Sequence, residues 1–139
     1  MASTPSGPVH YVKYDPKSGT QLDAHENGTT TLAFTGAIAV NLTFKWEVNN
    51  NIVFLNTPEI AAGNATGTAA LSTAATLPKR IRPAANEKFI IYGTPNATPD
   101  SILLSVNAAG TISFNPVGDT FTTGEAVNVA KSTVSYSLV

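Results

Sequence analysis

The sequence predicts an all-β protein, an antiparallel β-sandwich of jelly-roll-like architecture with little or no helix. Three observations carry that expectation. Ile38, Val40, Leu42, Phe44, Trp46 and Val48 are apolar at successive even positions, and Asn41, Thr43, Lys45 and Glu47 between them are polar. A period of two marks a strand with one buried and one exposed face. Short apolar runs then recur along the chain between Gly-, Pro- and Asn-bearing turns, the spacing of sandwiches and barrels. No stretch shows a convincing helical period.

Taken in order, residues 1 to 8 read as a Pro- and Gly-containing lead-in, and His10 to Tyr14 as a short strand stopped by Asp15-Pro16. The alternation around Trp46 breaks at Asn49-Asn50-Asn51 and resumes at Ile52-Val53-Phe54-Leu55, so residues 38 to 57 read as a hairpin. Pairing symmetric about Asn50 sets Val48 across from Ile52 and Trp46 across from Phe54, both pairs on the buried face. Residues 58 to 77 are rich in Ala, Gly and Thr without a clear period, and read as a long loop with a short strand near 69 to 73. Further strands are expected at Lys88 to Tyr92, Ser101 to Val106, Thr111 to Phe114, Ala126 to Val129 and Thr133 to Leu138. The resulting division is an N-terminal arm over residues 1–28 and a sandwich over 29–139.

Composition limits the function classes. Charged residues make up 12% of the 139 residues, about half the usual share. Polarity rests instead on 19 Thr, 12 Asn and 10 Ser. A net charge of −1 supplies no positive field for nucleic acid or an anionic membrane, and residues 1 to 14 hold a single Lys. Without cysteine there are no disulfides, iron–sulfur clusters or Cys-ligated zinc. No apolar run is long enough to span a bilayer, and MASTPSGP has no signal-peptide core, so no membrane insertion is expected.

Few residues look chemical. Asp23-Ala24-His25-Glu26 groups two carboxylates with an imidazole but offers no evident fourth ligand, and reads as a solvated loop. There is no GxSxG elbow, P-loop, HExxH or dinucleotide fingerprint. No catalytic residue, metal site or cofactor is therefore expected, and the chain reads as a non-enzyme. Lys79, Arg80 and Arg82 concentrate three of the eight basic residues. They are candidates for an anionic glycan or phosphate, against the plainer reading of an exposed strand start or an inter-subunit ion pair. Tyr11 and Tyr14 are the candidates for a sugar-stacking surface, because Trp46 and Tyr136 fall in phase with the core positions of their strands. The Asn-x-Thr triplets at Asn27, Asn41, Asn64 and Asn96 are what so much Asn and Thr generates by composition.

Leu77-Pro78-Lys79-Arg80-Ile81-Arg82-Pro83 resembles the LP-x-x-hydrophobic/aromatic-R-P element of trimeric β-sandwich heads in bacteriophage tail-fibre, baseplate and virion-surface proteins. The strand Lys88 to Tyr92, the turn Ala109-Gly110-Thr111-Ile112, the last strand Thr133 to Val139 and an upstream Trp46-Glu47-Val48 extend the resemblance over residues 30 to 139. Ile81 stands where Tyr is frequent, and Ala109 where the turn usually has Asp. The resemblance implies a homotrimer on the virion surface, a capsid decoration or head-fibre protein in contact with other virion proteins of the capsid or tail; residues 1–28, which the resemblance does not cover, are expected to be its docking arm. A receptor-binding tip of a tail fibre or baseplate, recognising a host-surface glycan, is the alternative. A monomeric carbohydrate-binding or adhesion module using Tyr11, Tyr14 or the 58 to 77 loop is the reading from another class.

Overall fold

The computed structural model describes Lys13–Tyr14, Gln21–Leu22 and residues 25 to 139. β1 (Lys13–Tyr14) and β2 (Gln21–Leu22) form a two-stranded antiparallel ribbon. The remaining strands are β3 (His25–Thr35), β4 (Val40–Asn49), β5 (Ile52–Thr57), β6 (Ile60–Asn64) and β7 (Leu71–Thr73), followed by β8 (Glu87–Gly93), β9 (Asp100–Val106), β10 (Ile112–Pro116), β11 (Ala126–Val129) and β12 (Ser132–Ser137). They form one antiparallel sheet of 10 strands in the order β12-β5-β4-β3-β7-β10-β9-β8-β11-β6. Among the described residues, helix is confined to two 3-10 turns, Lys79–Ile81 and Pro95–Ala97, and no helix is long and apolar enough to cross a membrane.

Chain connectivity dictates that the sheet curls. β5 lies next to one end of the strand order and β6 at the other, yet only Pro58-Glu59 joins them. Ala130-Lys131 likewise joins β11 to β12. Three Cα steps reach at most about 11 Å, so the two ends of the sheet must approach each other. The apolar face rolls inward and becomes the core. Phe34 of β3 lies 6.0 Å from Phe44 of β4 and 5.6 Å from Phe114 of β10, ring centre to ring centre, which ties together the halves that β7 bridges. Gly36 is required where the chain leaves β3: its φ is +126°, and a Cβ there would stand 2.0 Å from the Ala70 carbonyl oxygen.

The alternation around Trp46 forms β4 with Leu42, Phe44, Trp46 and Val48 buried. Its hairpin differs from the symmetric pairing about Asn50. Val48 faces Val53, Trp46 faces Leu55, and Phe54 pairs with Glu47 on the outer face, 39% exposed. The cause is the turn. Asn50 and Asn51 both have positive φ, 50° and 66°, the signature of a two-residue type I′ turn whose centre lies between them. A half-residue change of centre shifts the register by one and sends Phe54 to the opposite face.

Residues 58 to 77 hold β6 and β7 where a long loop with one short strand was expected. Alternation there is hard to see because so few of the side chains are large. The Lys79–Ile81 segment is a 3-10 turn that buries Ile81 completely, in place of an exposed strand start. The Tyr136 hydroxyl donates to the Ile81 carbonyl oxygen at 2.5 Å, pinning this turn to β12. β3 begins at His25, so the arm boundary drawn after residue 28 falls inside a strand of the sheet. Strands β8 to β12 lie within about two residues of their expected positions.

Candidate functional site

Trp46 and Gly28 face each other in the β3–β4 register. A Cβ on residue 28 would stand 2.4 Å from Trp46 Cζ2, so the indole lies directly against the glycine backbone. Trp46 is 8% exposed, and among the described residues its Nε1 is a buried side-chain donor without an acceptor. Around this pair the sheet has a cavity of about 300 Å³. Asn27 and Thr29 of β3, Lys45 and Glu47 of β4, and Asn56 of β5 complete its lining.

These five polar residues follow from strand periodicity. They occupy outward positions of three adjacent strands, with Asn27 paired to Glu47, Thr29 to Lys45 and Lys45 to Asn56. Their electrostatics are uneven. Glu47 meets His25 Nε2 at 3.4 Å. The Asn56 carboxamide oxygen accepts from the Thr133 hydroxyl at 2.6 Å. The Lys45 ammonium has neither an ion pair nor a hydrogen bond among the described residues. The cavity thus presents an uncommitted ammonium beside amides and a hydroxyl, groups that bind neutral or anionic polyhydroxylated ligands.

The residues singled out in the sequence do not converge here. Tyr11 lies outside the described residues, and Tyr14 is described only as the β1 backbone position opposite Gln21. Arg82 is engaged locally: Nε donates to the Leu77 carbonyl oxygen at 2.8 Å and Nη2 to the Thr76 hydroxyl at 2.9 Å. Arg80 pairs with Glu26, and Lys79 is exposed. The three cations therefore have three separate environments. His25 and Glu26, read as members of a loop cluster, are successive residues of β3 and face opposite sides, His25 toward Glu47 and Glu26 toward Arg80.

Sequence reasoning missed this cavity, although one signal for it was present. The polar half of the β4 alternation already placed Lys45 and Glu47 outward together. What was absent was the identity of the flanking strands, since Asn27 and Asn56 lie nearly thirty residues apart in the chain.

A second depression, of about 310 Å³, lies where β8 meets β11 and is lined by Glu59, Tyr92, Gly93, Thr94, Asn128, Val129 and Ala130. Much of it is strand backbone already in use: the Thr94 amide donates to the Asn128 carbonyl oxygen and the Ala130 amide to that of Tyr92, both at 3.0 Å.

No family model matches the chain, and no curated protein sequence matches it. Among solved structures it is similar to a reovirus attachment protein, sigma1, in a crystal structure in complex with alpha-2,3-sialyllactose. The TM-score is 0.55 at 12% identity, over 100% of this chain and 82% of that one. At that identity the likeness is one of fold.

Proposed function

We propose that this chain is a non-enzymatic protein of a virus-particle exterior whose β3–β4–β5 cavity holds a host-surface glycan. The observation that carries the reading is Lys45, whose ammonium has no partner among the described residues, beside Asn27, Thr29 and Asn56 in a 300 Å³ cavity open to solvent. Side-chain amides both donate and accept, which suits sugar hydroxyls, and an ammonium suits a sugar carboxylate. The fold likeness to an attachment protein solved with a sialylated trisaccharide supports the same assignment.

Titration with alpha-2,3-sialyllactose and with lactose tests it. Saturable binding of the sialylated ligand, at least about tenfold (about 1.4 kcal/mol) tighter than lactose, is expected. Lys45→Ala should reduce the sialylated ligand to the lactose level. Wild-type protein that binds neither sugar at millimolar concentration, or a Lys45→Ala variant that binds as wild type does, overturns the assignment.

The second reading is a homotrimeric capsid decoration or head-fibre protein. It is favoured by the charge-poor outer face of β8 and β9, a surface suited to subunit contact. Light scattering giving three times 14.4 kDa at two concentrations supports it. A monomer at both counts against a self-contained trimer.

A further inference from the structure

The cavity over β3, β4 and β5 stands on two rows of outward side chains that run across the strands. One row is Thr29, Lys45, Asn56 and Thr133; the other is Asn27, Glu47, Phe54 and Ser135. All eight residues are exposed. On β3, β4 and β5 every member of the two rows lines the cavity except Phe54. It stands opposite Glu47, one strand spacing of about 4.7–4.9 Å away, and two residues along β5 from Asn56. Phe54 is therefore at the rim, bounded on two sides by residues of the cavity lining. It is 39% exposed, and among the described residues it is the one exposed large apolar side chain on β3, β4, β5 or β12. A single exposed apolar residue is ordinary. This one interrupts rows otherwise made of Thr, Asn, Ser, Lys and Glu, and it takes no part in the ring contacts of the core.

The two rows differ in charge, and that difference orients a glycan. In the first row the Lys45 ammonium attracts a sugar carboxylate. In the second row Glu47 repels one, so the sugar lying there must be neutral. Glu47 meets His25 through Oε1, which leaves Oε2 to accept from sugar hydroxyls, beside the Asn27 carboxamide. Phe54 supplies what the polar groups lack. The electron-rich face of a phenyl ring attracts the weakly positive C–H bonds on the apolar face of a pyranose. Lys45 and Phe54 hold diagonal positions of the β4–β5 pair, about 7–8 Å apart, a span that two linked pyranoses cover. We infer that Phe54 is the stacking platform for a neutral hexose joined to the acidic sugar that Lys45 holds. The inference rests on the glycan reading above and narrows its ligand class. The ligand is an acidic oligosaccharide of at least two residues, and the free acidic sugar fills only half of the site.

Titration of the full chain with alpha-2,3-sialyllactose and with the methyl glycoside of sialic acid, which has the carboxylate but no hexose, tests this. Phe54→Thr gives position 54 a residue type already present in the rows, and far-UV circular dichroism should be unchanged because the side chain faces outward. It should weaken sialyllactose binding at least about threefold, while Phe54→Tyr, which keeps the ring, should bind within about twofold of wild type. The methyl glycoside should lose less than about twofold in Phe54→Thr, since it has no hexose to stack. Sialyllactose held by Phe54→Thr as tightly as by wild type, or an equal loss for the two ligands, overturns the stacking role while leaving Lys45 and the glycan reading in place. A wild-type chain that binds neither sialyllactose nor lactose removes that reading and this inference with it.

Discussion

Gly28→Ala tests the construction of the cavity floor. At an unconstrained strand position, replacing glycine by alanine stabilises by about 0.4–1 kcal/mol, because it reduces the freedom of the unfolded chain. At position 28 the new Cβ would stand 2.4 Å from Trp46 Cζ2, 2.8 Å from Cε2 and 3.0 Å from Cη2. Optimal carbon–carbon separation is about 3.5–4.0 Å, so the ring must retreat by more than an ångström. An indole only 8% exposed has little room for that. Overpacking of this kind costs about 1–3 kcal/mol, which offsets the entropic gain and leaves a net loss of up to about 2.5 kcal/mol. Urea unfolding followed by circular dichroism and by the fluorescence of the single Trp measures it. In a Trp46→Leu background the clashing ring atoms are gone and Gly28→Ala should be neutral or stabilising, a coupling of at least about 1 kcal/mol. A stabilised Gly28→Ala, or an equal loss in both backgrounds, would refute the reasoning.

Three further outcomes follow from the same structure. Tyr136→Phe leaves the buried Ile81 carbonyl without its 2.5 Å donor and should destabilise by about 1–3 kcal/mol in urea titrations, with β12 amides losing hydrogen-exchange protection first. Burial holds the Tyr136 phenol well above its ordinary pKa of 10.0, so the folded state retains a proton that the unfolded chain gives up. Stability should therefore be fully present below pH 10 and fall as pH rises above it, and the component due to this residue should vanish in Tyr136→Phe. Leu55→Ala should cost about 2–5 kcal/mol and Phe54→Thr less than about 1 kcal/mol, because Leu55 is fully buried and Phe54 faces outward; equal losses by urea unfolding would contradict the hairpin register.

Alternation made β4 legible, since six large apolar side chains at every second position admit few other arrangements. The same logic located β8 to β12. It failed for β6 and β7, where Ala, Gly and Ser carry little hydrophobic contrast and pairing with β11, β3 and β10 determines the strand. It also failed for the hairpin register, because three consecutive Asn residues leave the turn's centre undetermined until both φ angles are known.

By itself the sequence determined an all-β chain, the core roles of Trp46 and Tyr136, and the scarcity of charge, since each follows from local pattern or composition. Only the tertiary structure decided that Gly28 lies under Trp46, and that Asn27, Lys45 and Asn56 share one cavity. It likewise decided that the Lys79–Arg82 cations separate, and that Phe54 stands outward at the rim of that cavity. The physical reason is common to all of these. Strand faces are set by a two-residue period visible in the chain, whereas strand neighbours are set by pairings between residues far apart in it, which no local pattern encodes.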